Sequence, residues 1–203
     1  VEILQITPEQ AQAFLQSEVA AQEIDPSFLQ TPAWAQVKGG WQSKVIGFFE
    51  AKELVGTALV LARKMPKLNR YFLYIPEGPA LPAKYLAAAV PLLRKYAISQ
   101  NGFALRVGPM VVKNRWNSET IKEALADESK KSLQQVTPSW INPDAIAIEN
   151  ILRVNGFKPS IDDVNGFAAG QPKYVYQLAL TGKTEADVLE GFNQLKNFIF
   201  LSS

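Results

Sequence analysis

Three strand-forming runs in quick succession, followed by a helix and one more strand, limit this chain to a sheet with helices packed on it. The runs are rich in Val, Ile, Leu, Phe and Tyr, and polar or Pro/Gly turns separate them. They are residues 44–49, 54–61 and 71–75, with a helix predicted over 82–98 and a strand over 102–107. This order predicts an α/β (α+β) fold with a mixed sheet flanked by helices.

Two helix-start signals precede these strands. Thr7-Pro8 and Thr31-Pro32 each place a capping Thr before a Pro at the first helical position. We predict helices from these points to about residue 22 and to Lys38, with Trp34 and Val37 of the second facing inward. Further predicted elements are a strand over 1–6, a helix over 118–127 capped by Ser118, helices over 143–155 and 184–197, and a strand over 174–180.

The composition excludes several kinds of chemistry. The 203 residues include no Cys and no His, which excludes a Cys nucleophile, a Cys/His zinc site and a Ser-His-Asp triad. We expect no metal. The 21 basic and 19 acidic residues give no general basic stripe for nucleic acid, although a local basic pocket is still allowed. No signal-peptide pattern opens the chain and no apolar run reaches the roughly 20 residues of a membrane span, so we expect a cytoplasmic protein, peripheral to a membrane at most.

Three ordered segments carry a resemblance to a known family. The first reads FLQTPAWAQVK over 28–38 and is followed by Trp41; the second reads YIPEGP over 74–79 and leads to LRVGP over 105–109. The third covers 170–178 and 191–194. Each motif alone is weak, but the ordered series resembles the Fem (FemABX-type) peptidyltransferases, over nearly the whole chain to about residue 194.

The resemblance implies an aminoacyltransferase of peptidoglycan interpeptide-bridge synthesis. Members of the family have two acetyltransferase-like (GNAT) domains and move an amino acid from aminoacyl-tRNA to the stem-peptide amine of lipid II or of UDP-MurNAc-peptide. We therefore expect residues 1–183 to form a first GNAT-like domain and 184–203 to begin the helix that leads to a missing second one. The second domain completes the site for aminoacyl-tRNA in the family, so we expect no aminoacyl transfer by this chain alone.

Lys38 is the first candidate for substrate binding. The resemblance implies that it contacts the diphosphate of the precursor, and a Lys ammonium suits phosphate oxygens as a point charge. The alternative is that Lys38 only ends a helix, beside the negative end of the helix dipole. Trp34 and Trp41 bracket this lysine, and for both rings core packing stays open beside ligand contact.

Arg106 and Tyr74 are the other candidates for substrate binding. Arg106 lies between Leu105 and Val107 on a predicted strand, so its side chain points away from both neighbours. A charge placed in this way must reach water, a carboxylate or a bound anion, because an unpaired buried charge is costly. Internal pairing and acceptor binding both stay open for Arg106. Tyr74 ends the preceding strand at the turn that begins with Pro76.

Three further features have a structural interpretation that we prefer. Phe103 stands where some relatives have a tyrosine that touches the precursor, and core packing is expected for it. Glu77 is expected to be a solvated turn carboxylate rather than a base. Arg63, Lys64, Lys67 and Arg70 are expected to form a solvated sheet edge of the kind that prevents aggregation.

The loop after the third strand bears on the choice of cofactor. Coenzyme A acyltransferases hold the pyrophosphate on backbone N–H groups of a Gly-rich loop that opens a helix. Here residues 74–84 read YIPEGPALPAK, whose three prolines have no N–H to donate. We therefore expect no cofactor and rank a coenzyme-A-dependent N-acyltransferase below the two other hypotheses, which are the aminoacyltransferase and a non-catalytic module that binds the precursor.

Overall fold

The computed structural model describes residues 1–21, 24–159, 167–168, 171–172, 174–175, 177 and 180–190. The chain divides into two compact units, Val1–Lys158 and Pro159–Ser203. The first unit contains the sheet and all the candidate site residues. The domain boundary expected at residues 183 and 184 stays a prediction.

The first unit contains a five-stranded sheet whose strands lie side by side in chain order. They are β1 (Glu2–Gln5), β2 (Gln42–Glu50), β3 (Glu53–Lys64), β4 (Tyr71–Ile75) and β5 (Gly102–Val107). The first four pair antiparallel, whereas β4 and β5 pair parallel because the helix between them returns the chain to the same end of the sheet. The predicted mixed sheet with flanking helices is confirmed.

The helices of this unit begin and end close to where the sequence predicts them. They are α1 (Pro8–Ala21), α2 (Pro32–Val37), α3 (Ala83–Ser99), α4 (Ser118–Ala126) and α5 (Pro143–Val154), with short 3-10 turns at Phe28–Gln30 and Leu133–Gln135. The prediction that Ser118 caps α4 is wrong. The Asn117 side chain accepts the N–H of Thr120 at 2.8 Å, and Asn is a preferred N-cap because its side-chain oxygen reaches the free N–H groups of the first turn.

Short strand pairs were not expected from the sequence. β6 (Asn114–Arg115) pairs with β7 (Trp140–Ile141), and in the second unit β8 (Phe167–Ala168) pairs with β9 (Gln171–Pro172). Two-residue strands are too short to show an alternating pattern. Of the strand predicted over 174–180, the described residues are not in a strand and the others lie outside the described residues.

The last predicted helix is present as far as the structure describes it. Residues 185–190 are helical, and 191–197 lie outside the described residues. Thr184 caps this helix as predicted, because its hydroxyl accepts the N–H of Asp187 while the Asp187 carboxylate accepts the N–H of Thr184.

The core lies on both faces of the sheet, but the faces are covered to different extents. Under α3 and α5 the buried side chains include Ile46, Phe48, Val60, Leu73, Ile75 and Leu93. On the opposite face Ala11 of α1 packs with Val45, Leu59 and Leu61. Tyr74 is directly opposite both Leu61 and Arg106, so these three side chains share that second face. Over β4 and β5 this face stays partly exposed, and the candidate site lies there.

Candidate functional site

Four aromatic side chains cluster on the less covered face of the sheet, and we call them the aromatic face. They are Trp41, Phe72, Tyr74 and Phe103. The Trp41 ring centre lies 6.2 Å from that of Phe72 and 6.5 Å from that of Tyr74, and Phe72 lies 6.2 Å from Phe103. These are normal separations for interacting rings. Because all four residues keep part of their surface in solvent, the cluster can also receive a ligand.

The backbone explains why the four rings meet. Phe72 and Tyr74 are two apart on β4 and therefore point to the same side. Ala104 and Arg106 pair with Phe72 and Tyr74 and share their side of the sheet. By the usual alternation along β5, Phe103 would therefore point to the opposite side. Instead Tyr71 pairs with Gly102 while Phe72 pairs with Ala104, so Phe103 is an extra residue in β5. Such a bulge re-aims the side chain, and here it brings Phe103 against Phe72.

Arg63 and Arg106 lie against the aromatic face. The guanidinium carbon of Arg106 lies 5.8 Å from the centre of the Phe72 ring, and that of Arg63 lies 5.9 Å from the centre of the Trp41 ring. Both are within the range of cation–π attraction. Among the described residues the salt bridges join only Lys113 and Arg153 to Glu149. Neither arginine therefore has an internal carboxylate partner in the described part of the chain, and both can bind an external anion.

Lys38 and Trp34 lie at the end of α2, beside the aromatic face. Lys38 donates its backbone N–H to the Trp34 carbonyl at 3.2 Å and accepts the N–H of Trp41 at 3.1 Å. This turn places the Lys38 ammonium 4.8 Å from the centre of the Trp34 ring. Lys38 thus ends the helix and also presents a charge, so both interpretations of this residue are compatible with its geometry. The Trp34 indole N–H is buried, with no acceptor among the described residues.

The inward orientation predicted for Val37 is wrong, since its side chain is 68% exposed. Helix α2 has only six residues and packs through Trp34 and Ala35. At 3.6 residues per turn, Val37 lies roughly a third of a turn away from that contact direction.

Gln30 fixes the loop between β4 and α3 and was missed by the sequence analysis. The residue is 2% exposed; its amide oxygen accepts the N–H of Leu59 at 3.1 Å and its amide nitrogen donates to the carbonyl of Pro76. A Cβ at Gly78 would collide with the Gln30 side chain, which explains the glycine at this position. A lone Gln before a short helix shows no sequence pattern that reveals this role.

Glu77 is held by the same segment. The Ser27 hydroxyl donates a hydrogen bond to the Glu77 carboxylate, and Glu77 is half-buried. The prediction of a freely solvated turn carboxylate is therefore wrong. Ser27 itself is buried, so the contact anchors the loop to the segment that precedes α2.

The loop has few backbone donors to offer a ligand. Pro76, Pro79 and Pro82 have no N–H, and Ala80 exchanges both backbone hydrogen bonds with Thr57 at 2.9 Å. A cavity of about 170 Å³ beside the loop is lined partly by Asp25 and Glu77, with no Lys or Arg among the described lining residues. This cavity is unsuited to a phosphate, whereas the aromatic face carries the cations that a phosphate requires.

Together these features define a mixed α/β domain with an aromatic, cationic sheet face. Residues 6–197 match the model of the FemAB family, and the chain belongs to this family. Among solved structures, the crystal structure of FemX matches with a TM-score of 0.53 and 23% sequence identity, over 80% of this chain and 33% of FemX. The chain therefore spans about a third of the length of FemX.

A second solved structure is similar at a lower level. It is the aminoglycoside acetyltransferase HMB0005 from an uncultured soil metagenomic sample, with a TM-score of 0.31 and 16% identity over 70% of this chain and 97% of that one. Comparison with curated proteins gives no match. Within the described residues, no helix combines the length and the apolar character needed to cross a bilayer.

Proposed function

We propose that this chain is the precursor-binding domain of an aminoacyltransferase that builds peptidoglycan interpeptide bridges. The complete enzyme would move an amino acid from aminoacyl-tRNA to the stem-peptide amine of lipid II or of a UDP-linked muropeptide, in the cytoplasm. Membership of the FemAB family supports the reaction class. The observation that carries the proposal is the aromatic face, flanked by cations without carboxylate partners in the described residues.

The chemistry of a sugar diphosphate fits this face. Its sugar rings present faces of C–H groups that can pack against Trp41 and Phe72. Its two phosphates carry negative charge that Lys38 and Arg106 can meet through charge-assisted hydrogen bonds. The Tyr74 hydroxyl, beside Arg106 in register, adds a donor for a sugar or phosphate oxygen.

The composition of the chain limits what it can contribute to catalysis. Without His or Cys it has neither an imidazole base nor a thiolate nucleophile. The role we assign to it is to hold the acceptor so that its amine meets an activated ester, a contribution from proximity and orientation. We assign aminoacyl-tRNA to a second domain, as the family resemblance implies, and expect this chain alone to transfer no amino acid.

Calorimetric titration with the soluble UDP-linked precursor tests this proposal. We expect Lys38→Ala to weaken binding by about 1–3 kcal/mol, the usual contribution of a hydrogen bond to a charged group. The matched control is Lys95→Ala, which removes an exposed lysine from α3. No binding by the wild-type chain, or equal affinities for wild type and Lys38→Ala, would contradict the site.

A further inference from the structure

The hairpin that joins β3 to β4 carries a cluster of positive charge around an exposed leucine. We call residues 63–70 the basic hairpin. Its cations are Arg63, Lys64, Lys67 and Arg70, all of them exposed. Met65 donates its N–H to the Arg70 carbonyl at 2.8 Å, which closes the hairpin. Leu68 lies in the turn between these cations and is 54% exposed.

The charge of the basic hairpin is not neutralised nearby in sequence or by any contact in the described part of the chain. From Leu54 to Pro76 the sequence contains these four basic residues and no Asp or Glu, whereas the whole chain has a net charge of only +2. The two salt bridges among the described residues involve none of the four. The hairpin is therefore a local concentration of positive charge on an otherwise nearly neutral protein.

Protection of a sheet edge does not explain this charge. β3 pairs with β2 on one side and β4 on the other, while β4 pairs with β3 and β5. Neither strand is an edge strand, and only Arg63 and Lys64 extend beyond the pairing with β2, so no long unpaired strand is present here for edge-to-edge aggregation. The four side chains are solvated as predicted, but they do not lie on an edge strand, so protection of an edge does not account for their clustering.

We propose that the basic hairpin docks the protein on an anionic membrane surface. Clustered Lys and Arg side chains attract acidic headgroups, and an apolar side chain between them can enter the boundary between headgroups and acyl chains. A phosphodiester chain such as RNA would use the same cations, but it has no acyl interior for a leucine to enter. The presence of Leu68 in the turn favours the membrane.

The position of the basic hairpin connects membrane docking to the aromatic face. Arg63 lies against the Trp41 ring, and Arg70 directly precedes Tyr71, the first residue of β4. The hairpin thus leaves the sheet at the border of the aromatic face. This step rests on the function proposed above. A protein docked in this way would take the lipid-linked precursor as its acceptor, because the diphosphate of that precursor lies at the bilayer surface.

Co-sedimentation with vesicles tests the docking surface. The vesicles contain phosphatidylcholine with about a third phosphatidylglycerol, and pure phosphatidylcholine vesicles serve as the lipid control. We expect wild type to bind only the anionic vesicles. The double variant Lys64→Glu, Lys67→Glu should bind at least about tenfold more weakly, and Leu68→Ser about threefold more weakly. The control Arg94→Glu, Lys95→Glu makes the same charge change on exposed positions of α3 and should bind within about twofold of wild type.

Three results would overturn the docking surface: no binding of wild type to anionic vesicles, an equal loss in the α3 control, or an unchanged Leu68→Ser variant. If Leu68→Ser binds like wild type and the hairpin cations also govern binding of a single-stranded RNA oligonucleotide, the surface is a nucleic-acid site instead. Circular dichroism checks that each variant is folded.

Titration of the soluble UDP-linked precursor separates this inference from the proposed function. The hairpin variants should bind that precursor like wild type, because Lys64, Lys67 and Leu68 lie outside the aromatic face. If vesicle binding fails while precursor binding persists, only the docking surface is wrong. If wild type binds vesicles but not the precursor, the proposed function falls and the docking surface stands.

Discussion

The two faces of the sheet are built from the same strands but leave their large side chains in different surroundings. On β4, Leu73 and Ile75 point under α3 and are 2% and 0% exposed. Phe72 and Tyr74 alternate with them and remain partly exposed on the other face. An aromatic ring buries more apolar surface than an aliphatic side chain, so leaving the rings in solvent sacrifices stability that the aliphatic face obtains.

The comparison therefore separates residues that maintain the fold from residues that remain available to a ligand. Under α3 the fully buried side chains are aliphatic except for Phe48, which is itself enclosed. On the aromatic face, the Arg63 guanidinium lies against the Trp41 ring and the Arg106 guanidinium lies against the Phe72 ring. Substitutions on the first face should change the free energy of unfolding, and those on the second should change ligand affinity. The following predictions test that division.

The largest effect is expected for a phenylalanine under α3. Phe48 is fully buried, so Phe48→Ala should lower the free energy of unfolding by about 3–5 kcal/mol through lost burial and a residual cavity. The matched control is Phe103→Ala on the aromatic face, where the ring is 46% exposed. Urea denaturation of both variants decides the point. Equal losses would show that the two faces do not differ in the way described.

A loss of stability of similar size is expected at Gln30. Replacing it by alanine leaves the Leu59 N–H and the Pro76 carbonyl buried without partners, at a cost of roughly 1–3 kcal/mol for each group. Gln30→Glu is the informative comparison, because its ionised carboxylate keeps an acceptor for Leu59 but lacks the donor for Pro76 and adds a buried charge. Urea denaturation should rank wild type above Gln30→Glu and Gln30→Ala. A Gln30→Ala protein as stable as wild type would mean that the loop does not depend on this side chain.

These two positions also show what the sequence does and does not reveal. Phe48 lies in a run of strand-forming residues, and such local patterns place strands β1 to β5 and helices α1 to α5 to within a few residues, although they miss β6 and β7. The role of Gln30 depends on partners 29 and 46 residues away, which no local pattern encodes. The placement of Phe103 depends on a one-residue shift of register between parallel strands. The sequence could suggest Lys38, Trp34, Tyr74 and Arg106 singly, while the sheet register shows that Tyr74 and Arg106 are neighbours.

On the aromatic face, changes should appear in binding rather than in stability. Arg106→Ala should weaken binding of the UDP-linked precursor by about 1–3 kcal/mol, because it removes a charged donor, and should leave the urea midpoint close to that of wild type. Arg106→Lys keeps the charge and should lose less. Calorimetric titration measures the affinities. A variant that binds normally but unfolds more easily would place Arg106 with the residues that maintain the fold.

Acetyl-coenzyme A is expected to leave the melting temperature unchanged. A pyrophosphate cradle needs several consecutive backbone N–H groups, but Pro76, Pro79 and Pro82 have none and Ala80 donates its own to Thr57. A ligand that binds only the native state must raise the melting temperature as its concentration increases, by mass action. We therefore expect a flat thermal-shift series with acetyl-coenzyme A, beside a rise with the UDP-linked precursor as the positive control. A saturating rise with acetyl-coenzyme A would move the candidate site from the aromatic face to the loop between β4 and α3, and would favour an N-acyltransferase.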